Sequence, residues 1–222
     1  MALALVGTPT SGAGSGSSST GTTLPTGWQE GDYAIIGVGS SNFEAQTISL
    51  NQSWGSLGDT TTATTSWIRC AVWAKRLGSS ETAPTITFGG NTTWRWYMYV
   101  LRDVDTTEPI VDIDSYVDSA FIEPSVMPTL NADGKTVWSL VFQQTEGSDG
   151  QVTVWPSGWS GDGAISPNGN SYLNTGRNTS PGTGSIGGGD MESSFGRADV
   201  TWHLLVQETA AGPVEVPLAG EL

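Results

Sequence analysis

Apolar and polar residues alternate along much of this chain with a period of two, the period of strands rather than helices. The runs Ala2–Val6, Asp32–Gly39, Trp67–Leu77, Thr85–Phe88, Trp94–Leu101, Thr136–Gln143 and Val200–Gln207 are bounded by Gly, Pro, Asn or Asp and read as strands. Within Trp94–Leu101, Trp94, Trp96, Met98 and Val100 fall on one face and Arg95, Tyr97, Tyr99 and Leu101 on the other. Within Trp67–Leu77, Ile68, Cys70, Val72 and Ala74 oppose Trp67, Arg69, Trp73 and Lys75. Both faces of each run are largely apolar, which predicts strands covered on two sides or a surface between subunits. No helix is expected. The one candidate, Ala198–Ala211, carries Val200, Thr201 and Val206, whose branched side chains favour a strand.

The stretches between the runs differ in character. Ser11–Thr23 is almost wholly Ser, Gly and Thr and reads as a flexible linker or a long surface crossing anchored by Leu3, Leu5, Val6 and Leu24. Asn174–Asp190 reads as an exposed loop. In Thr209–Leu222, Pro213, Val214, Val216, Pro217 and Leu218 favour an extended C-terminal arm. A weak internal echo pairs Trp54-Gly55 with Trp159-Ser160 and Trp96–Leu101 with Trp202–Gln207, at offsets of 105 and 106 residues. These features predict an all-β domain over residues 1–208: a jelly-roll β-sandwich of about eight antiparallel strands in two similar four-stranded halves, followed by the arm 209–222.

Composition supports this class and removes several functions. The 30 Gly and 11 Pro suit many turns, and ten Trp supply a bulky apolar core. With 22 acidic against eight basic residues, a net charge of −14 offers no footprint for nucleic acid. No apolar run has the length of a membrane span, and no basic segment precedes a signal-like stretch. The single Cys70 alternates with Ile68 and Val72 and is expected to be a small buried hydrophobe. The single His203 lies in a strand between Trp202 and Leu204, so packing or hydrogen bonding is expected rather than general-base catalysis. No Gly-x-Ser-x-Gly follows a strand. Asp103, Asp105, Asp112, Asp114 and Asp118, with Glu108, could converge on calcium, but they alternate with Val111, Ile113 and Val117 and read better as a solvated face. A glycosidase needs two carboxylates facing each other in a cleft, and acid pairs are too common in this chain to mark one. No catalytic, cofactor-binding or metal-binding residue is assigned, and no cofactor. Trp73, Trp94, Trp96, Trp138 and Trp202 sit in strands as core residues; Trp28, Trp54, Trp155 and Trp159, beside Gly or Pro, are the candidates for stacking on sugar rings. The Asn-x-Ser/Thr sites at Asn51, Asn91 and Asn178 decide nothing without secretion.

Several segments resemble the jelly-roll structural proteins of tailed bacteriophages, which occur alone or as modules of tail, fibre and capsid-surface proteins. They are the opening Leu5-Val6-Gly7-Thr8, then Leu24-Pro25-Thr26-Gly27-Trp28-Gln29-Glu30-Gly31-Asp32 leading into Tyr33–Gly39. Ile68–Leu77 with Gly78-Ser79 and Thr85–Gly89 follow, then Val100-Leu101-Arg102-Asp103-Val104-Asp105 with Pro109-Ile110, Asp133-Gly134, and Thr201-Trp202-His203-Leu204-Leu205. The chain departs from the family where Val104 rather than Gly follows Asp103, and in its tryptophan load. The resemblance implies a non-enzymatic virion protein that decorates the capsid or forms part of a tail or fibre. Its implied partners are other virion proteins and copies of itself in a homo-oligomer. The alternative is a carbohydrate-binding β-sandwich module that takes a host-surface glycan on exposed Trp.

Overall fold

The computed structural model describes residues 2–42, 46–62, 67–118, 125–147, 150–187, 189–193 and 199–210, and these form seventeen strands and no helix. In the first half they are β1 (Ala4–Leu5), β2 (Thr10–Gly21), β3 (Tyr33–Asn42), β4 (Ile48–Leu50), β5 (Gly55–Thr61), β6 (Trp67–Arg76) and β7 (Thr85–Arg102). The second half holds β8 (Ile110–Asp118), β9 (Ser125–Val126), β10 (Leu130–Asn131), β11 (Val137–Glu146), β12 (Val152–Val154) and β13 (Ser160–Ile165). It continues through β14 (Ser171–Asn178), β15 (Ser185–Ile186), β16 (Asp190–Ser193) and β17 (Asp199–Gln207). Every pairing is antiparallel.

Two main sheets lie face to face. The first runs β5-β6-β3-β7-β1, with β2 and β4 also on β7; the second runs β13-β14-β11-β17-β8. Tyr33, Ile35, Ile68, Val72, Tyr99 and Leu101 from one sheet meet Leu140, Phe142, Leu173, Trp202, Leu204 and Val206 from the other in a shared core. Period-two alternation sends the intervening residues outward, and these too are covered. Ala34, Ile36, Trp73, Trp96 and Met98 pack under Ile48, Ile86 and Phe88, because β7 continues past Gly89-Gly90 and folds back with β4 over its own sheet. In the second half β12, β16 and β9 form the corresponding cover over Val141.

This arrangement revises several expectations. The two-sided apolar strands are covered on both faces within the chain, so they offer no surface between subunits. Thr85–Phe88 and Trp94–Leu101 are two parts of one 18-residue strand. Ser11–Thr23 is largely strand β2, paired with β7 along its length. Its glycines make that possible: a Cβ at Gly12 would lie 2.7 Å from Trp96 Nε1, and one at Gly14 2.5 Å from Trp94 Cζ2, so both indoles rest on bare backbone. Asn174–Asp190 is not an exposed loop throughout. It includes most of β14, with Asn174 and Thr175 fully buried, and β15. Residues 211–222 of the expected arm lie outside the described residues.

The two halves repeat each other in most of their strands, although β10 and β15 have no counterpart in the first half. Advancing both partners by 105 residues turns Leu5↔Leu101 into Ile110↔Val206, Ser40↔Trp94 into Thr145↔Asp199, and Thr20↔Ile86 into Ser125↔Met191. The same step turns Ser49↔Thr87 into Val154↔Glu192 and carries the bulge at Ser56/Gly58 onto that at Gly161/Gly163. Two registers depart: Gly55↔Ala74 corresponds to Ser160↔Arg177, an advance of 103 for the second partner, and Thr10↔Met98 corresponds to Ser115↔Trp202, one residue short of the step. The sequence echo at 106 residues is therefore one residue out of step. It equates Trp96, which faces outward, with Trp202, which faces the shared core. A slip of one inverts a strand's faces, and the step of 105 pairs Trp202 with Tyr97 instead.

Candidate functional site

His203 is the residue on which catalysis would have to turn. β17 points it outward from the second sheet, under Pro128, Gly187 and Trp159. Its Nδ1–H donates to the Pro128 carbonyl at 2.6 Å, which leaves Nε2 to accept from the Ser139 hydroxyl on the adjacent β11. Both side chains are fully buried, and Trp159 packs edge-on at 5.6 Å. Burial lowers the imidazole pKa to about 4, against the weaker upward pull of the Pro128 hydrogen bond, Asp112 and Asp114. The pair has two parts of a hydrolytic triad, but a carbonyl stands where the orienting carboxylate belongs and no substrate could reach the hydroxyl. It ties the cover to the sheet. Cys70 is likewise sealed in the shared core, where burial pushes its thiol pKa up.

The acidic segment does not converge on a cation. Asp105 accepts from the Thr107 and Glu108 amides in a turn, and Asp118 is buried. Asp112 and Asp114 each accept from the amide of the next residue, Ile113 and Ser115, and Asp112 also accepts from Asn131. Among the described residues no three His, Cys, Asp or Glu side chains are grouped to hold a metal.

Nor does the structure present the four turn tryptophans as open platforms. Trp54 is buried in the first outer core, and Trp28 packs against it. Trp155 covers the backbone of Gly161 and Gly176 and stacks at 6.4 Å on Trp159, which in turn abuts His203. The large apolar residues that are exposed among those described are Tyr116 (36%), Val117 (39%) and Val154 (49%).

Two polar clusters were invisible in the sequence. Asp162, the extra residue in the β13 bulge, accepts from the Tyr99 hydroxyl at 2.7 Å and pairs with Arg177 at 2.7 Å. Burial raises its carboxyl pKa, with Tyr99 and Arg177 pulling the other way. A cavity of about 200 Å³ adjoins it, lined also by Gln151, Trp155 and Ala164. Arg95 is fully buried at one end of the shared core, donating to the Ser171 hydroxyl; desolvation lowers its pKa to about 9. No local pattern signals either cluster, since Asp162 and Arg177 come from Gly-rich stretches and Arg95 interrupts an aromatic strand. At the seam between halves, Arg102 forks onto buried Asp32 at 2.9 and 2.8 Å, and Arg76 donates to the Gly31 and Asp105 carbonyls. Each of these groups holds neighbouring chain segments together; none pairs a nucleophile with an accessible base.

No protein-family model, curated protein or solved structure matches the chain.

Proposed function

We propose that the protein is a non-enzymatic structural component of a tailed-phage virion, on the capsid surface or in the tail or fibre, and that each half is a jelly roll in its own right. Strand order carries this reading. Dividing β2 and β7 where they pass from main sheet to cover, and counting β1 with the first part of β2 because both lie along the same part of β7, gives the first half eight segments. The first then pairs with the eighth, the second with the seventh and the third with the sixth. That nesting of hairpins supports a jelly-roll reading, because a jelly roll wraps in the same way and is the fold of the phage proteins that the sequence resembles. One departure is that β5 stays beside β6 in the main sheet and does not cross to the cover. The internal use of His203, Ser139 and Cys70 supports a structural role, because it leaves the reactive side chains committed to packing.

Mass spectrometry of purified virions tests the proposal. The protein should be present at fixed stoichiometry, in hundreds of copies for a capsid position and a few to dozens for a tail. Absence from particles, together with glycan binding lost on Trp159→Ala, would replace it with the carbohydrate-binding reading.

A further inference from the structure

The inner faces of the two halves contact each other in a reciprocal pattern. β6 lies on β17; their counterparts one repeat away, β14 and β7, also meet. β5 lies against β8, and β13 against β2, again counterparts exchanged. Side chains follow the same rule. A Cβ at Gly58 would fall 2.0 Å from the Trp202 ring, and one at Gly163 would fall 3.0 Å from the Tyr97 ring. Gly163 is Gly58 advanced by 105, and Trp202 is Tyr97 advanced by 105. At the middle of the interface, positions meet their own counterparts: Gly37 faces Phe142 and Gly39 faces Gln144.

Reciprocity of this kind, with i touching j and the counterpart of j touching the counterpart of i, defines the isologous contact of a two-fold dimer. Positions that meet themselves mark where the axis passes. We infer that the chain is a symmetric dimer joined end to end, and that the inner face of each half is a self-complementary docking surface whose partner is a second copy of the same unit. The residues on the axis show what joining allowed. In a dimer of identical chains, position 37/142 would face itself as two glycines, leaving a void, or as two phenylalanines, which collide. Here Gly37 yields to Phe142, to within 2.0 Å of where a Cβ would stand. The two copies have diverged into a small–large pair that a dimer of identical chains cannot encode. This inference rests on strand correspondence and is independent of the virion reading.

Urea unfolding of the full chain tests it through a size exchange across the axis. Gly37→Phe should destabilise the unmodified protein, and Phe142→Gly should destabilise it by opening a cavity. Because the two positions oppose each other as equivalents, Gly37→Phe should stabilise the Phe142→Gly protein, raising its folding equilibrium constant about tenfold or more. A reversal of sign between the two backgrounds is the expected result. The Gly39→Gln and Gln144→Gly pair repeats the measurement without removing an aromatic ring, for the case in which Phe142→Gly does not fold. If the substitutions lower stability in both backgrounds at both pairs, the positions are not counterparts across an axis and the inference is wrong.

Discussion

At the scale of single residues, the molecule turns would-be reactive groups into fasteners. His203 shows this in its pH dependence. The folded imidazole has a pKa of about 4, below its ordinary value of about 6.5, so the unfolded chain takes up the proton first. Its stabilising contribution is present in full above about pH 6.5 and is lost progressively as pH falls towards 4, about 3 kcal/mol in all. Urea unfolding across that range should show the loss, and His203→Gln, which cannot titrate, should flatten it. Gly14 is a fastener of another kind, a bare surface for an indole. Gly14→Val would drive a side chain into Trp94 and should cost about 1–3 kcal/mol, read as a lower urea midpoint at unchanged slope.

At the scale of elements, the strands that could be read from sequence were those with strong apolar alternation: β3, β6, β7, β11 and β17, the centres of the two sheets, and the short edge strand β1. Those missed were edges and covers. β2 hides because its partners supply the bulk: Gly12 and Gly14 are strand residues only beneath Trp96 and Trp94. β13 and β14 hide for the same reason, with Gly161 and Gly176 under Trp155. The polar side chains around Asp162 come together through the bulge and the packing of one half on the other, which no local spacing encodes. β8 shows how an exposed edge is managed. The Asp112 and Asp114 carboxylates occupy the amides of Ile113 and Ser115, blocking with negative charge the donors a foreign strand would need. The double variant Asp112→Ala, Asp114→Ala should therefore associate more strongly than the unmodified chain at equal concentration, detectable by light scattering; unchanged association would mean these carboxylates do not guard the edge.

At the scale of the whole molecule, one chain does what two subunits do elsewhere. In a dimer of separate chains the folded state competes with dissociation, and its apparent stability falls with every dilution. The seam at Asp103–Pro109, with Arg76 bonded across it to the Asp105 carbonyl, removes that dependence. The second half is never farther away than a few residues of chain, so its effective concentration is fixed by geometry rather than by abundance. Copy number then no longer governs whether the inner faces are buried. A protein made early and scarce would close on itself as completely as one made late and plentiful.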